Sequence, residues 1–418
     1  METFQGIFRR TLASHKHVPP SLTPGECASR SGRVCALCHA SAWSYDPEAS
    51  ARDTALQEFW KTLRIRAPLR PLVRSPLGRH YRTTTKRKAF HRGNAVRLAL
   101  IDPSEDAAGR TMDVGRCAIE PREHGGVYAT VQEALYAPHA RPLADALRYV
   151  VIRGDDRELT VVLTVGDLNA QVARTATTVS KRLTRGHAGI TGVLLYEDRS
   201  DGRYYFGMQN PSARGVMRKV YGTGEMYARF GGKGFLYPGT AFSQINASLV
   251  DGMLAEAARL LRPGSASTFF DLYCGYGLFT LTVGTTAGSA VGVERSPESI
   301  SAAIANGRRH HARNVRFVRN AITPETTGPI LAQARPGDVV LLDPPRGGAG
   351  AGVLESIAAR KPARVLHLFC NVDLVGPEIE RWKKSGYRLA DAVPFDMFPG
   401  TDDVEIMALF APAAGQGA

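Results

Sequence analysis

The stretch FFDLYCGYGLFTL, residues 269–281, runs from an apolar segment through a Gly-x-Gly turn into a second apolar segment. Strand, glycine turn and helix in that order open a parallel α/β sheet, which binds its ligands beyond the C-terminal ends of the strands. Gly275 and Gly277 allow the backbone to approach such a ligand closely. The pattern recurs downstream: apolar strands are expected at about 290–294, 314–319, 338–343 and 364–369, with helical stretches between them. This alternation gives parallel strands with right-handed crossovers. Two last strands, YRLADAVPFD and VEIMALFAP, are separated by a turn around Phe-Pro-Gly-Thr that is too short for a helix, so the last strand is expected to run antiparallel.

The expected strand tips carry the candidate chemistry. Glu294 ends the second strand, 17 residues after Gly277, where an acid accepts from ribose hydroxyls. That spacing suits a dinucleotide, and equally S-adenosylmethionine, which has a ribose but no pyrophosphate. The third strand ends at Asn320. The fourth ends in LLDPPRGG, where Pro344 and Pro345 fix a rigid exit and hold Asp343 at the sheet edge. Its plainer reading is a cap for the segment that follows. The fifth strand delivers Cys370 and Asn371. A cysteine there is either a packed small hydrophobe or a nucleophile, and its place in one row with Glu294 and Asp343 favours the nucleophile.

Upstream the text divides into a loose leader (1–26), a cysteine-cluster and basic segment (27–80) with a short helix in SARDTALQEFWKTL, and a smaller α+β domain (81–238) that precedes the Rossmann-like domain (239–418). The net charge is +14, and Lys61–Arg97 holds twelve Lys and Arg with no acid. Within it HYRTTTKRKAFHR interleaves Tyr81 and Phe90 with basic residues, a composition that neutralises phosphates and stacks on bases, or else a solvated basic surface. RNA is the expected partner of the 81–238 domain. No stretch is apolar enough for a membrane span, and the start lacks the apolar core of a signal peptide. A cytoplasmic protein with reduced thiols and no obligate protein partner is expected, so clustered cysteines read as metal ligands or catalysts before disulfides.

The ordered motifs FSQIN, DLYCGYGLF, LLDPPRGG, LFCN and FDMFPGTDDVE, spread over about 240–410, resemble the RNA uracil-5 methyltransferase family. The resemblance implies a class I fold and methylation of C5 of a specific uridine in ribosomal or transfer RNA. It implies S-adenosylmethionine held by Gln244, Tyr273, Glu294, Asn320 and Asp343, with Gly275, Gly277 and Leu278 in the turn beside it. It also implies Cys370 as the nucleophile that adds to uracil C6, and Glu405 as the base that removes the C5 proton. The chain departs from the family pattern at Leu278 (usually Asn), Phe369 (Ser), Val372 (Pro) and Asp403 (His), and Arg82-Thr83 stands where Arg-Asn-Lys is usual. Asp403 brings a carboxylate near Glu405 that could raise its pKa.

Cys27, Cys35 and Cys38, with Cys117 in VGRCAIEP, form a candidate site of four thiolates, which suits an iron–sulfur cluster or structural zinc. The residues do not choose between them. The family resemblance implies a [4Fe–4S] cluster, and the spacing is most similar to the ribosomal members that lack an N-terminal barrel. Cys274 reads as a structural thiol. Two readings compete with the enzyme: an RNA-binding protein of this fold without turnover, and a methyltransferase of small molecules, which the basic segment disfavours.

Overall fold

The computed structural model describes residues 2–22, 27, 38–93, 95–101, 111–112, 114–198 and 215–413. Two seven-stranded sheets organise them. The first is built from β1 (Thr84–Arg92), β2 (Ala95–Ile101), β3 (Thr111–Met112), β4 (Leu147–Gly154), β5 (Leu159–Val165), β6 (Ile190–Glu197) and β7 (Met217–Gly222), in the order β3-β2-β1-β4-β5-β6-β7. Its pairs are antiparallel except β5–β6, which the helix Ala170–Gly186 connects as a parallel crossover. Side chains alternate across the pleat. Val150, Ile152, Val161, Leu163, Val193 and Leu195 pack under the helices Arg122–Leu135 and Ala170–Gly186.

A hairpin, β8 (Glu225–Phe230) and β9 (Lys233–Pro238), leads to the second sheet. This contains β10 (Thr268–Leu272), β11 (Ser289–Glu294), β12 (Val315–Arg319), β13 (Val339–Leu342), β14 (Arg364–Phe369), β15 (Tyr387–Phe395) and β16 (Glu405–Pro412), in the order β12-β11-β10-β13-β14-β16-β15. Strands β10 to β14 pair in parallel, and β16 runs antiparallel to both of its neighbours. This is the Rossmann-like class I arrangement with a reversed last strand. Alternate residues of each strand feed two cores. Phe270, Leu272, Val291 and Val340 face one side, while Phe269, Ala290, Val339 and Leu341 face the other.

The N-terminal segment departs from the expected loose leader. Phe4–Ser14 is a helix whose N-cap Thr3 accepts from the Gly6 amide at 3.2 Å. Its apolar residues fall at helical spacing, and Phe4, Ile7, Phe8 and Leu12 are all buried in the first of those two cores. Each contributes roughly 1.5–3 kcal/mol of burial. A longer helix, Tyr45–Thr62, lies against it, and Leu69 and Val73 bridge in parallel to Ala392 and Phe395 of β15. The helices Phe4–Ser14 and Tyr45–Thr62 and the segment 69–73 therefore belong to the layer covering the second sheet. Among the described residues no helix is long and apolar enough to cross a membrane.

Candidate active site

The C-terminal ends of β10, β11, β13 and β14 converge at one edge. After β10 the chain turns through Tyr273 (φ 70°), Gly275 (φ 54°) and Gly277 (φ 88°). A Cβ built on Gly275 would meet nothing within 4 Å, so that turn borders open space, whereas one on Gly277 would press on Phe317 at 3.0 Å. The Gly275 amide donates to Glu294 Oε2 at 3.2 Å and the Ser296 amide to Glu294 Oε1 at 2.7 Å, which fixes that carboxylate beside the glycine turn. Asn320, half-buried just beyond β12, donates its amide to the Glu294 carbonyl at 3.1 Å. Tyr273 donates its hydroxyl to the Ala349 carbonyl at 3.4 Å.

Gln244 reaches the edge from the linker ahead of the helix Ala247–Leu261, and its Nε2 donates to Asp343 Oδ2 at 3.3 Å. The first sheet holds that linker. Arg153, buried at the end of β4, donates to the carbonyls of Gly239 and Ala241 and to Ser243 Oγ, while the Thr83 amide donates to the Ile245 carbonyl at 2.9 Å. Leu278 opens the helix Leu278–Thr282 and is buried in the second core, so its side chain serves packing.

The reversed β16 supplies the remaining group. Register pairs Phe369 with Ile406, and so Cys370 and Glu405 are the next residues on facing strands. Glu405 is buried and Cys370 half-buried. Burial, then the Glu405 and Asp343 carboxylates, push the Cys370 thiol up to about 12, against a lowering by the Arg346 guanidinium. Burial likewise raises Asp343 and Glu405, with the Asp343 charge adding to the rise at Glu405. Asp403 is not a cause of that rise, contrary to the expectation from its place near Glu405. Its carboxylate pairs instead with Arg346 at 2.7 Å.

Two further groups escaped the sequence reading. Asp271 on β10 is buried, accepts from Thr280 Oγ1 at 2.5 Å, leaves Oδ1 without a partner, and is raised to about 7 by burial and by the Asp343 and Glu294 charges. It stands inside the quoted stretch, and an acid in an otherwise apolar strand was its signal. Arg346 was quoted within LLDPPRGG without a role, and it is the cation facing Cys370.

This arrangement can hold a ribose and a cation beside a thiol and a carboxylic acid, which suits methyl transfer to a base. Residues 228–411 match the family model described as tRNA (Uracil-5-)-methyltransferase. That match contains the whole edge from Gln244 to Glu405. The chain is an S-adenosylmethionine-dependent RNA (uracil-5-)-methyltransferase. The methyltransferase is 24% identical over 379 residues (89% of this chain, 81% of the relative) to an uncharacterized RNA methyltransferase of Thermotoga maritima. It is 37% identical over 174 residues to the 23S rRNA (uracil(1939)-C(5))-methyltransferase RlmD of Pectobacterium atrosepticum, a match spanning 42% of this chain and only 38% of that protein. Its fold is similar to that of the Pyrococcus abyssi tRNA (uracil-54, C5)-methyltransferase solved with S-adenosyl-L-homocysteine, with a TM-score of 0.64, 16% identity, and coverage of 91% of this chain and 87% of that one.

Two other expectations about the methyltransferase meet the structure away from this edge. Cys27, Cys38 and Cys117 gather in one small apolar cluster with Ala40, Tyr81, Ala118 and Ile119. Burial, then Glu120 and Cys38, push the Cys117 thiol well up. Among the described residues no three His, Cys, Asp or Glu side chains are placed to hold a metal, and Cys35 lies outside the described residues. In the basic segment, strand alternation divides the residues of β1. Lys86 and Lys88 share one face, while Arg87 points under the helices, is buried, and grips Glu120 through two hydrogen bonds of 2.7 Å. Arg87 is therefore an internal ion-pair residue, not a phosphate contact.

Proposed function

We propose that the enzyme methylates uridine C5 through a covalent bond between Cys370 and uracil C6. The observation that carries this reading is the placement of Glu405 at the start of β16, beside Cys370 at the end of β14. Uracil C5 is too weak a nucleophile to take a methyl group unaided. Addition of the Cys370 thiolate to C6 pushes an electron pair toward O4 and makes C5 an enolate carbon. S-adenosylmethionine supplies the methyl group, and Gln244, Tyr273, Gly275, Gly277, Glu294, Asn320 and Asp343 would hold it. Glu405 then takes the C5 proton, the C5–C6 double bond re-forms, and Cys370 leaves. Burial and the neighbouring carboxylates raise the Cys370 thiol, and the Arg346 guanidinium opposes them by favouring the thiolate that adds to C6.

Ribosomal RNA is the favoured substrate. Support comes from the higher identity to RlmD, named for 23S rRNA, and from the spacing of the N-terminal cysteines. Those cysteines are proposed as a four-thiolate site, Cys27, Cys35, Cys38 and Cys117, that takes a [4Fe–4S] cluster, with zinc as the alternative. Cys27, Cys38 and Cys117 share one apolar cluster, but no three side chains among the described residues are placed to hold a metal, so the reading rests on the cysteine spacing. Protein purified without oxygen should carry about four irons per chain and absorb in the visible. About one zinc and no visible absorbance would overturn the iron assignment.

Two variants test the order of the covalent steps. Cys370→Ala should form neither 5-methyluridine nor an RNA adduct. Glu405→Gln should methylate at most once and remain joined to its RNA in a band that survives denaturant. Normal turnover by Glu405→Gln would remove Glu405 from the role of base.

A further inference from the structure

We propose that Arg52, on a helix that precedes the family-matched segment, is a positioning residue that sets the loop carrying Glu405. The inference rests on Glu405 being the base. Arg52 is completely buried, and its guanidinium donates to two backbone carbonyls of the loop between β15 and β16: Thr401 at 2.8 Å and Asp403 at 2.6 Å. These residues lie four and two positions before Glu405. Glu48, one turn earlier on the same helix, accepts from Arg52 Nη2 at 2.8 Å and from the Gly400 amide at 2.6 Å through the same oxygen, Oε1. Its other oxygen accepts from Arg79 at 2.9 Å. Asp396, where the loop begins, places Oδ1 3.3 Å from Arg52 Nε. The loop is thus held at its start, its middle and just before the base.

Other contacts confine the same loop. The Tyr81 hydroxyl donates to the Pro399 carbonyl at 2.9 Å, and the His39 amide donates to Gly400 O at 2.5 Å. On the outer side, Asp402 is gripped by His39 at 2.6 Å and by Arg9. A side chain at Gly400 (φ 85°) would meet Ile119 at 3.0 Å and Ala40 at 3.2 Å, which makes glycine the residue that fits there. The N-terminal helix also touches the nucleophile's loop, since the Phe4 amide donates to Asp373 Oδ1 at 3.0 Å, three residues beyond Cys370.

Burying three charged side chains, Arg52, Glu48 and Asp396, costs desolvation energy that their mutual attraction recovers only in good geometry, and apolar residues of similar volume hold a fold at least as well. What apolar residues cannot do is fix backbone carbonyls and an amide at stated points. The network therefore serves geometry, and a displacement of Glu405 by about 1 Å is enough to slow its step strongly. Misplacing the base leaves the earlier steps untouched: Cys370 still adds, methyl transfer still occurs, and only removal of the C5 proton and departure of sulfur are delayed.

The test compares wild type, Glu405→Gln, Arg52→Lys and Glu48→Gln as full chains, with substrate RNA and labelled S-adenosylmethionine. Lysine keeps the buried charge but cannot reach both carbonyls. Arg52→Lys should show a wild-type rate of first methyl transfer and a resolution of the protein–RNA adduct slower by on the order of tenfold to a hundredfold. Hydrogen exchange in residues 398–404 should be faster than in wild type. Glu48→Gln, which loses charge but keeps an acceptor for Gly400, should accumulate adduct to a lesser extent. If Glu405→Gln traps RNA but both network variants, folded by thermal unfolding, resolve it at the wild-type rate, the proposal fails while Glu405 remains the base. If Glu405→Gln does not trap RNA, the reading beneath it fails. Failure of both network variants to fold would assign the network to stability and overturn the positioning role.

Discussion

The interior of the first sheet and the strand-tip edge of the second treat buried charge in opposite ways. In the first, Arg87 is enclosed with Glu120 in a paired hydrogen bond and lies 4.5 Å above the Tyr128 ring, while Arg153 donates to two carbonyls and a hydroxyl. In the second, Asp271, Asp343 and Glu405 are enclosed with one another's charge for company, and all three are pushed toward the protonated form. A buried charge with its counter-charge is part of the scaffold. Carboxylates buried together cost stability, and such groups gather at functional sites.

The largest effect that sharpens this contrast belongs to the scaffold side. Arg87→Met strands Glu120 and should destabilise the protein by about 3–5 kcal/mol in denaturant unfolding, with methyl transfer per folded molecule unchanged. Weaker RNA binding without loss of stability would instead make Arg87 a surface contact and break the comparison. On the other side, Asp343→Asn should weaken S-adenosylmethionine binding by about 10–100-fold in calorimetry, the worth of a charged hydrogen bond of about 1.5–3 kcal/mol. Its stability at neutral pH should equal or exceed that of wild type.

The sequence told these two sides apart unevenly. Strand tips at Glu294, Asp343 and Cys370 were readable because a parallel strand announces itself as an apolar run whose last residue breaks the pattern. The reversal of β16 was readable from a linker too short for a helix. Arg87, inside HYRTTTKRKAFHR, reads with its basic neighbours as phosphate-neutralising because charge composition drowns the period-two alternation, although Thr85, Arg87 and Ala89 share a face in any strand. Helix Phe4–Ser14 was missed for a related reason. Ser, Thr and basic residues suggested a leader, yet Phe4, Ile7, Phe8 and Leu12 already fell at helical spacing. Arg52 could not be read at all. The carbonyls it holds lie about 350 positions away, and only the assembled fold brings them together.

A smaller effect separates the sheets by pH. Asp271 is raised to about 7 from an ordinary 3.8, so the native state holds a proton that the unfolded state releases. Its contribution to stability is fully present below about pH 4 and is lost as pH rises through about 7. Asp271→Asn should flatten the fall of the thermal midpoint between pH 5 and pH 8, and an unchanged slope would place the titration elsewhere. The smallest effect concerns the open face of β1. Lys86→Ala with Lys88→Ala should reduce the salt dependence of RNA binding by roughly 0.7–0.9 of log–log slope per lost contact. Stability should move by less than about 0.5 kcal/mol in the same variant.

Strand β16 lies between β14 and β15, although both are made before it. During synthesis the chain emerges from its N-terminus, at about 5–20 residues per second. For an interval β14 therefore presents an open edge, and Cys370 stands in the nascent protein without Glu405. A chain broken off in that interval has the glycine turn and the Cys370 thiol, but not Glu405. On the proposed mechanism the strand that closes the sheet also completes the chemistry, so an unfinished copy would lack the means to release a uridine it had seized.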